Sequence, residues 1–406
     1  MKIGIIRETK SPCDSRVLLT PVQVRMLMDE YPGVGFAVQS SKDRAFSDRE
    51  YSCLGIDVRE DVSDCDVLFG IKEVREDVLI PGKWYFFFGH VAKMQAYNRP
   101  LLMEMIRRGI TFTDYEYLTD ENGKRLCAFG WWAGLAGVYN TLRAYGLRYR
   151  LFELPHLSGN VTADNLKDRL RALVMPEVRV VVTGNGRVSK GAQYMLEESG
   201  FRRVAVEDYL SGLSVPGPCF CVAAVGDLVR NLDGTPFDRE RFRRHPEDYA
   251  SRFQEYSRVS DILLSCHYWE GGQPVYLDRM CMTDPERRLS VVGDVTCDIM
   301  GSMQCTLRPS THAAPFYDFN PVTGGEEAPF SSPDNITVMA VDTLPNALPR
   351  ETSGYFGDLF ITRILPGVLG SSSPAASAAV ERGTILRCGK LTERYGYLCN
   401  FAGQRQ

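Results

Sequence analysis

The sequence predicts an α/β protein whose sheets are mainly parallel. Two observations lead to this prediction: short apolar segments alternate with amphipathic ones over the first third of the 406-residue chain, and the same alternation starts again near Pro176. Strands that alternate with helices form parallel sheets with helical crossovers. With 44% hydrophobic and 24% charged residues, the chain has the composition of a globular protein, and its length suits two or three domains.

The first block reads as strands separated by helices. Thr20 and Pro21 are typical of an N-cap and a first helical residue, so they predict the start of the helix "TPVQVRMLMDEY". Further helices are predicted at "LLMEMIRRG" and at the long apolar segment "GWWAGLAGVYNTLRAYGL". The predicted strands are "KIGIIRE", "VGFAVQ", "CDVLFGIK", "KWYFFFGH" and "ITFTDYEYL".

The second block starts with a strand, a glycine loop and a helix in "VRVVVTGNGRVSKGAQYMLEESG". We interpret the charged segment "NLDGTPFDRERFRRHPEDYASRF" as a solvated insertion and "GSSSPAASAA" as a flexible loop. The final segment, "TILRCGKLTERYGYL", is expected to pack back on the body of the protein. Further strands are predicted at "RRVAVED", "CFCVAAVG", "SDILLSCHYW" and "LSVVGDVTCD".

Composition and charge exclude several classes of protein. A net charge of −4 gives no sign of a nucleic-acid surface, and no apolar run reaches the length that spans a membrane. The start, "MKIGIIRETK", lacks the shape of a signal peptide. The 12 cysteines include no CxxC pair, so no metal site is expected. Because free thiols suit a reducing compartment, we expect a cytoplasmic protein.

The glycine loop predicts a dinucleotide site. In "VVVTGNGRVSKGAQ", Gly184 permits a tight turn after a strand, and Gly186 lets backbone N–H groups approach a pyrophosphate at the start of a helix. Ser189 stands where the fingerprint has its third glycine. A phosphate loop of the Walker type is excluded, because Ala192 and Gln193 replace its lysine and hydroxyl residue.

An acidic residue at the end of the following strand suggests which dinucleotide is bound. Glu207 lies about 20 residues beyond the loop, where an acid binds the ribose 2′-hydroxyl of NAD. The alternative reading is a plain polar strand end. An acid there repels a 2′-phosphate, so NAD is preferred, while Arg202 and Arg203 leave NADP possible.

Cationic side chains follow several predicted strands of the first block. If those strands are parallel, their carboxyl ends meet at one edge of the sheet and gather the side chains around one cleft. So many cations imply a small anionic substrate with several carboxylates. The residues are Arg16, Lys72, His90, Lys93 and Arg125.

These motifs resemble the alanine dehydrogenase and transhydrogenase superfamily, and within it the lysine-forming saccharopine dehydrogenases. The resemblance rests on "RETKSPCDSRVLLTP", "GIKE", "GHVAKMQ", "AFGWWAGLAG", "VVGDVTCDIMGS" and "VDTLPNALPRETSGYFGD". "TGNGRVSKGAQ" and the charged insertion look most like the lysine–ketoglutarate reductase half of a bifunctional enzyme. The resemblance implies two Rossmann-like domains with a cleft between them: a discontinuous substrate domain, 1–133 with 345–406, and a dinucleotide domain, 134–344.

The resemblance also implies roles for individual residues. Lys72 is similar to the family's general base and His90 to its general acid. Cys297 stands where the family has a small residue. The positions that match the substrate site are Arg16, Lys93, Gln95, Arg125, Phe129, Thr296, Cys297 and Asp298. The positions that match the cofactor site are Lys124, Gly184, Gly186, Arg187, Glu207, Ser211, Tyr268, Val295, Val341, Asp342, Thr343 and Leu344.

The implied reaction is the NAD(P)-dependent interconversion of saccharopine with L-lysine and 2-oxoglutarate. Saccharopine carries three carboxylates, which accounts for the cations. Hydride transfer from the carbon next to the secondary amine needs a base, and hydrolysis of the imine needs an acid near neutrality, for which histidine is suited. Two alternatives are a related enzyme for another amine and oxo acid, and a dinucleotide-binding sensor without catalysis.

Overall fold

A computed structural model describes residues 1–157, 161–212, 215–370 and 373–403. The chain forms two compact units: Met1–Phe129 with Pro349–Gln406, and Gly130–Leu348. Each unit contains one eight-stranded, mainly parallel sheet with helices, which confirms the predicted α/β class.

The strands are numbered in chain order: β1 Lys2–Ile5, β2 Gly35–Gln39, β3 Asp57–Arg59, β4 Val67–Phe69, β5 Trp84–Phe87, β6 Thr111–Asp114, β7 Arg179–Thr183, β8 Arg202–Arg203, β9 Cys219–Ala223, β10 Val229–Asn231, β11 Tyr249–Ser251, β12 Ile262–Ser265, β13 Val291–Asp294, β14 Phe316–Phe319, β15 Glu326–Glu327, β16 Ile336–Met339, β17 Thr384–Arg387 and β18 Lys390–Leu391.

The α-helices are α1 Pro21–Glu30, α2 Asp48–Ser52, α3 Arg99–Arg107, α4 Gly130–Tyr149, α5 Ala163–Arg171, α6 Arg187–Glu198, α7 Val206–Leu210, α8 Val225–Leu228, α9 Arg239–Arg244, α10 Phe253–Val259, α11 Arg279–Thr283, α12 Pro349–Arg363, α13 Leu365–Val368 and α14 Pro374–Gly383.

In the first unit the strand order is β18-β17-β6-β5-β4-β1-β2-β3. The strands from β6 to β3 pair in parallel, and β17 adds to β6 in the antiparallel direction. The final segment therefore packs back on the body of the protein, as predicted. The carboxyl ends of β1, β4, β5 and β6 lie side by side at one edge, which positions the candidate site.

The predicted start of α1 is confirmed in detail. Thr20 caps the helix by accepting the N–H of Gln23, and the Gln23 side chain accepts the N–H of Thr20 in return. This reciprocal capping box satisfies backbone donors that a helix start leaves open. Helix α12 returns to pack beside α1, where the Gln23 amide donates to the carbonyl of Gly354 and to Asp358.

In the second unit the strand order is β15-β14-β16-β13-β12-β7-β9-β8. The run from β16 to β8 is parallel, and β14 and β15 add to β16 in the antiparallel direction. Helix α4 packs closely on α6: a side chain on Gly134 would meet the Val188 carbonyl oxygen at 2.0 Å, and one on Gly191 would meet that of Trp131 at 2.0 Å.

Three sequence predictions differ from the structure. The strand predicted at "RRVAVED" ends at Arg203, and Glu207 lies in the first turn of α7. The charged insertion is folded, because β10 and β11 form an antiparallel hairpin and Phe242, Tyr249 and Phe253 are buried in the core. The predicted flexible loop "GSSSPAASAA" is helical in α14 from Pro374; residues 371–372 lie outside the described part.

None of the described helices is both long enough and apolar enough to cross a bilayer.

Candidate active site

The chemistry-bearing side chains of the first unit follow four neighbouring strands. Lys72 follows β4 and His90 follows β5, and these two strands are hydrogen-bonded neighbours. The two strands pair in parallel, so their carboxyl ends meet at one edge of the sheet. Ligands of open α/β sheets bind at such carboxyl ends.

His90 is held in a constrained backbone conformation by a neighbouring strand. Its φ of 54° lies in the left-handed region, which is uncommon for a residue with a side chain. Asp114, at the end of β6, accepts the backbone N–H groups of Gly89 and His90 through Oδ2, both at 3.1 Å. This buried carboxylate fixes the turn that presents the imidazole. Burial raises the pKa of Asp114 to about 6.

Glu73 sets the tautomer of His90. Its Oε1 lies 2.7 Å from His90 Nδ1, and its Oε2 lies 2.8 Å from Lys10 Nζ. Burial alone would raise the pKa of Glu73, but the hydrogen bonds and charges of His90 and Lys10 lower it to about 2. Because an ionised carboxylate only accepts hydrogen bonds, Nδ1 must carry a proton. Nε2 is then the imidazole atom left to exchange a proton with a substrate.

The backbone at Lys72 is clamped by Glu8, which follows β1. Glu8 accepts the N–H of Ile71 at 2.6 Å through Oε1 and the N–H of Lys72 at 2.8 Å through Oε2. Burial, and then the charge of Asp14, raises the pKa of Glu8 to about 8 despite these two bonds. The loop that carries Lys72 is thus fixed on a buried carboxyl group whose pKa lies well above its ordinary value.

Arg16 is buried and paired. Its Nε and Nη2 donate to the two oxygens of Asp14 at 2.8 and 2.5 Å, and its guanidinium carbon lies 4.2 Å from the centroid of the Phe129 ring. Phe129 stacks in turn on Phe356, with ring centroids 4.3 Å apart. Burial alone would raise the pKa of Asp14, but the guanidinium of Arg16 lowers it below its usual value. Bidentate pairs of this kind fix geometry as well as charge.

Lys93 and Arg125 share one carboxylate oxygen. Lys93 Nζ lies 3.1 Å from Glu116 Oε1, and Arg125 forms an ion pair with the same atom. Glu116 Oε2 is buried and accepts no hydrogen bond from the part of the chain that the structure describes. Burial alone would raise the pKa of Glu116, but Arg125 and Lys93 lower it below its usual value. The two cations are about half exposed, so they can turn toward a ligand.

Sequence reasoning found the cations of this edge and missed the carboxylates. The available signal was the same one that identified the cations, because each acid also follows a strand of the sheet. Gln95 and Lys124 are exposed in the loops between. The missed residues are Glu8, Asp14, Glu73, Asp114 and Glu116.

The glycine loop of the second unit has the shape of a pyrophosphate cradle. Gly184 has a φ of +80°, and a Cβ there would lie 2.7 Å from the Cα of His267. Gly186 precedes α6 with no side-chain cap, and a Cβ on it would meet nothing within 4 Å. Uncapped N–H groups at a helix start beside open space fit an anionic diphosphate. Arg187 opens the helix and Ser189 is buried in it.

Other predicted residues of this unit follow the neighbouring strands β12, β13 and β16. Asp294, at the end of β13, accepts the Thr296 hydroxyl at 2.6 Å and the N–H of Cys297 at 3.2 Å, so it shapes the loop up to Asp298. Cys297 has a φ of 55°. The remaining positions are Tyr268 after β12, exposed; Val295 after β13, half-buried; Val341, Asp342, Thr343 and Leu344 after β16; and Glu207 and Ser211, exposed near α7.

Comparisons with known proteins agree with this architecture. Residues 4–136 match the family model "Alanine dehydrogenase/PNT, N-terminal domain". An alpha-aminoadipic semialdehyde synthase of Arabidopsis thaliana is 31% identical over 98% of this chain and 41% of its own length. A saccharopine dehydrogenase [NAD(+), L-lysine-forming] of Emericella nidulans is 26% identical over 90% of this chain and 91% of its own.

Among solved structures, an L-alanine dehydrogenase has a TM-score of 0.65 at 19% identity and covers 99% of both chains. This likeness concerns the fold. The chain spans less than half the length of the semialdehyde synthases that it matches.

Proposed function

We propose that this chain, which is similar to proteins of the alanine dehydrogenase and transhydrogenase superfamily, is an NAD(P)-dependent oxidoreductase that interconverts saccharopine with L-lysine and 2-oxoglutarate. The observation that carries the proposal is that Lys72 and His90 follow two neighbouring strands. Glu73, next to Lys72 in the sequence, contacts both His90 and Lys10. Names of relatives support the reaction class, because they include saccharopine dehydrogenase.

Lys72 is the proposed general base and His90 the proposed general acid. When bound, the dinucleotide would accept hydride from the carbon next to the secondary amine. Lys72 would take the proton of that amine. After water adds to the imine, His90 would donate a proton through Nε2 as the carbinolamine breaks down to the oxo acid and lysine. Because Glu73 accepts the Nδ1–H of the ring, the proton donated in this step is the Nε2–H of the doubly protonated imidazolium.

Lys93 and Arg125 are the better candidates for binding the carboxylates of the substrate. Both are about half exposed and both use one oxygen of Glu116. A substrate carboxylate can therefore join or replace that contact. Arg16 is buried and bidentate on Asp14, so we assign it to holding Asp14 and Phe129 in place.

Dinucleotide binding can be tested at two glycines that differ in their surroundings. Gly186→Val places its Cβ where no protein atom lies within 4 Å apart from its chain neighbours, so the fold should persist while affinity for NADH and NADPH falls at least tenfold. The measurement is fluorescence titration together with thermal unfolding. Gly184→Val is the contrasting variant: it combines a φ of +80° with a 2.7 Å approach to His267 and should lower the melting temperature. A Gly186→Val protein that keeps its affinity would contradict dinucleotide binding at this loop.

The reaction can be tested by following the oxidation of NADH and of NADPH. We expect oxidation that requires L-lysine and 2-oxoglutarate together and stops when either is omitted. If oxidation occurs only with a different amine and oxo acid, that pair would replace the proposed substrates. The loop Thr296–Asp298 would then be the first place to look for the change in specificity. Tight dinucleotide binding without turnover on any pair would favour a sensor instead.

A further inference from the structure

The order of strands in the second sheet departs from the usual dinucleotide-binding arrangement. In that arrangement the strand that carries the ribose-binding acid lies directly beside the glycine-loop strand. Here β9 pairs with β7 over five residues, and β8 pairs with the far side of β9. Neighbouring strands are about 4.8 Å apart, so β8 lies roughly 9 to 10 Å from β7. The sequence rule that pointed to Glu207 requires the preceding strand, β8, to lie directly beside β7. In this sheet β9 takes that place.

The carboxyl end of β9 occupies the place beside the glycine loop. The carbonyl of Ala223 accepts the N–H of Gly184 at 2.8 Å. The next residue, Ala224, donates its N–H to Asp227 Oδ2 at 2.8 Å. The turn of α8 thus folds the Asp227 carboxylate back onto the strand end, one residue beyond the contact with the loop.

The Asp227 carboxylate has an oxygen available for a ligand. Its Oδ2 is occupied by Ala224, whereas Oδ1 accepts no hydrogen bond from any described residue, and the side chain is half-buried. The Tyr256 hydroxyl donates to the Asp227 backbone carbonyl at 3.2 Å, which anchors the turn from the core. Glu207 is by contrast exposed in the first turn of α7, beyond β9.

We infer that Asp227, rather than Glu207, is the carboxylate that accepts a hydroxyl of the adenosine ribose, and that it favours a dinucleotide without a 2′-phosphate. The inference rests on the proposed dinucleotide binding and assigns specificity within that same site. A carboxylate held at this strand end can bind a ribose hydroxyl and repels a phosphate at the same place.

The hairpin that follows offers a competing charge. A pocket of about 510 Å³ beside Gly226 is lined by Arg230 and Arg252, among others. Arg252 is held by both oxygens of Glu255, at 3.0 and 2.8 Å. Arg230 is exposed on β10. Arg230 is therefore the residue that would bind the 2′-phosphate of NADP if Asp227 did not determine which dinucleotide is preferred.

The test compares Asp227→Asn with Glu207→Gln, two changes that remove one charge without changing size. Asparagine keeps an oxygen for the N–H of Ala224, so the turn is preserved. Dissociation constants for NADH and NADPH are measured by fluorescence titration. We expect Asp227→Asn to weaken NADH about tenfold or more while NADPH binds as well as before or better. Glu207→Gln should leave both constants within about twofold.

Several outcomes would overturn the assignment. A larger loss of NADH affinity in Glu207→Gln than in Asp227→Asn would mean that Glu207, after β8, accepts the ribose hydroxyl instead. Equal weakening of both nucleotides by Asp227→Asn would make Asp227 a structural residue only. If the wild type prefers NADPH and Arg230→Ala abolishes that preference, the hairpin of β10 and β11 determines which dinucleotide is preferred. Wild-type protein that binds neither nucleotide would remove the proposed dinucleotide function itself, a result distinct from the other three.

Discussion

Lys72 and His90 are the residues at which we expect the largest losses of turnover. Lys72→Met should lower kcat about 100- to 10,000-fold, because general bases contribute that much, and should leave dinucleotide affinity unchanged. His90→Gln should cost less, since water can partly replace an acid in imine hydrolysis. The measurement is kcat and kcat/KM against pH, where each variant should lose one limb. Lys42→Met, at an exposed lysine of the same unit, is the control. Near wild-type turnover by Lys72→Met would contradict the assignment.

Asp114 should make stability depend on pH in the direction opposite to most acids. Burial raises its pKa to about 6, above the ordinary value of 3.8. Between these two values the folded state holds a proton that the unfolded state has released, so stability falls as pH rises, by up to about 1.4 kcal/mol per pH unit. Asp114→Asn should remove this slope.

Denaturant unfolding of wild type and Asp114→Asn at several values between pH 4 and 6 checks this expectation. The slopes are compared instead of the absolute stabilities, because asparagine has one acceptor oxygen where Asp114 uses two, Oδ2 for Gly89 and His90 and Oδ1 for the N–H of Glu116. Two curves that run parallel through this range would contradict the raised pKa.

At this scale the sequence predicts which strand ends carry reactive groups but not how those groups pair. In "GIKE", Glu73 directly follows Lys72 in the sequence, yet its carboxylate contacts Lys10 and His90, which follow other strands. Such pairing depends on the distance between loops in three dimensions. Only the folded sheet, with β1, β4 and β5 side by side, determines that distance.

At the scale of elements, the contact between α4 and α6 depends on glycine. Gly191→Val should destabilise the second unit by about 1–3 kcal/mol or more, because its side chain would overlap the Trp131 carbonyl oxygen. Gly354→Ala in α12 is the matched control: nothing lies within 4 Å of its new Cβ, so it should gain about 0.5–1 kcal/mol of stability. Urea unfolding measures both. Equal stability of the two variants would contradict the close packing of α4 on α6.

Elements in which apolar residues or capping residues recur at the expected spacing were predictable from the sequence. Elements whose prediction rested on amino-acid composition were not. Thr20 and Pro21 locate the start of α1 because capping is a local property. The run "PAASAA" suggested a loop through its serines, although alanine has the highest helix propensity and Pro374 suits a first turn. In the charged insertion, the arginines of α9 obscured Phe242, which reaches the core.

At the scale of the whole molecule, each unit has its own cores. Ile385 on β17 is fully buried in the first unit, and Arg387 on the same strand is exposed. Ile385→Ala should cost about 2–5 kcal/mol, whereas Arg387→Ala should cost less than about 1 kcal/mol, since it removes only an exposed ion pair with Glu381.

Native-state hydrogen exchange distinguishes the effects of the two variants. In Ile385→Ala, exchange should speed up in β6, to which β17 is paired, and stay unchanged in β7 of the second unit. Faster exchange in β7 to the same extent would contradict the separate cores.

The pairing of β17 with β6 has a consequence for synthesis on the ribosome. Thr113 and Thr384, whose hydroxyls meet at 2.9 Å, are 271 residues apart. At typical rates of translation, roughly 15 to 50 s pass between the emergence of the two strands. Throughout that interval the edge of β6 has no strand to pair with, while the continuous segment 130–348 can already fold. An open edge of this kind is a template for association with other chains. Slower growth at lower temperature, or a chaperone that covers β6, should therefore raise the soluble yield of this protein more than that of a protein with continuous domains.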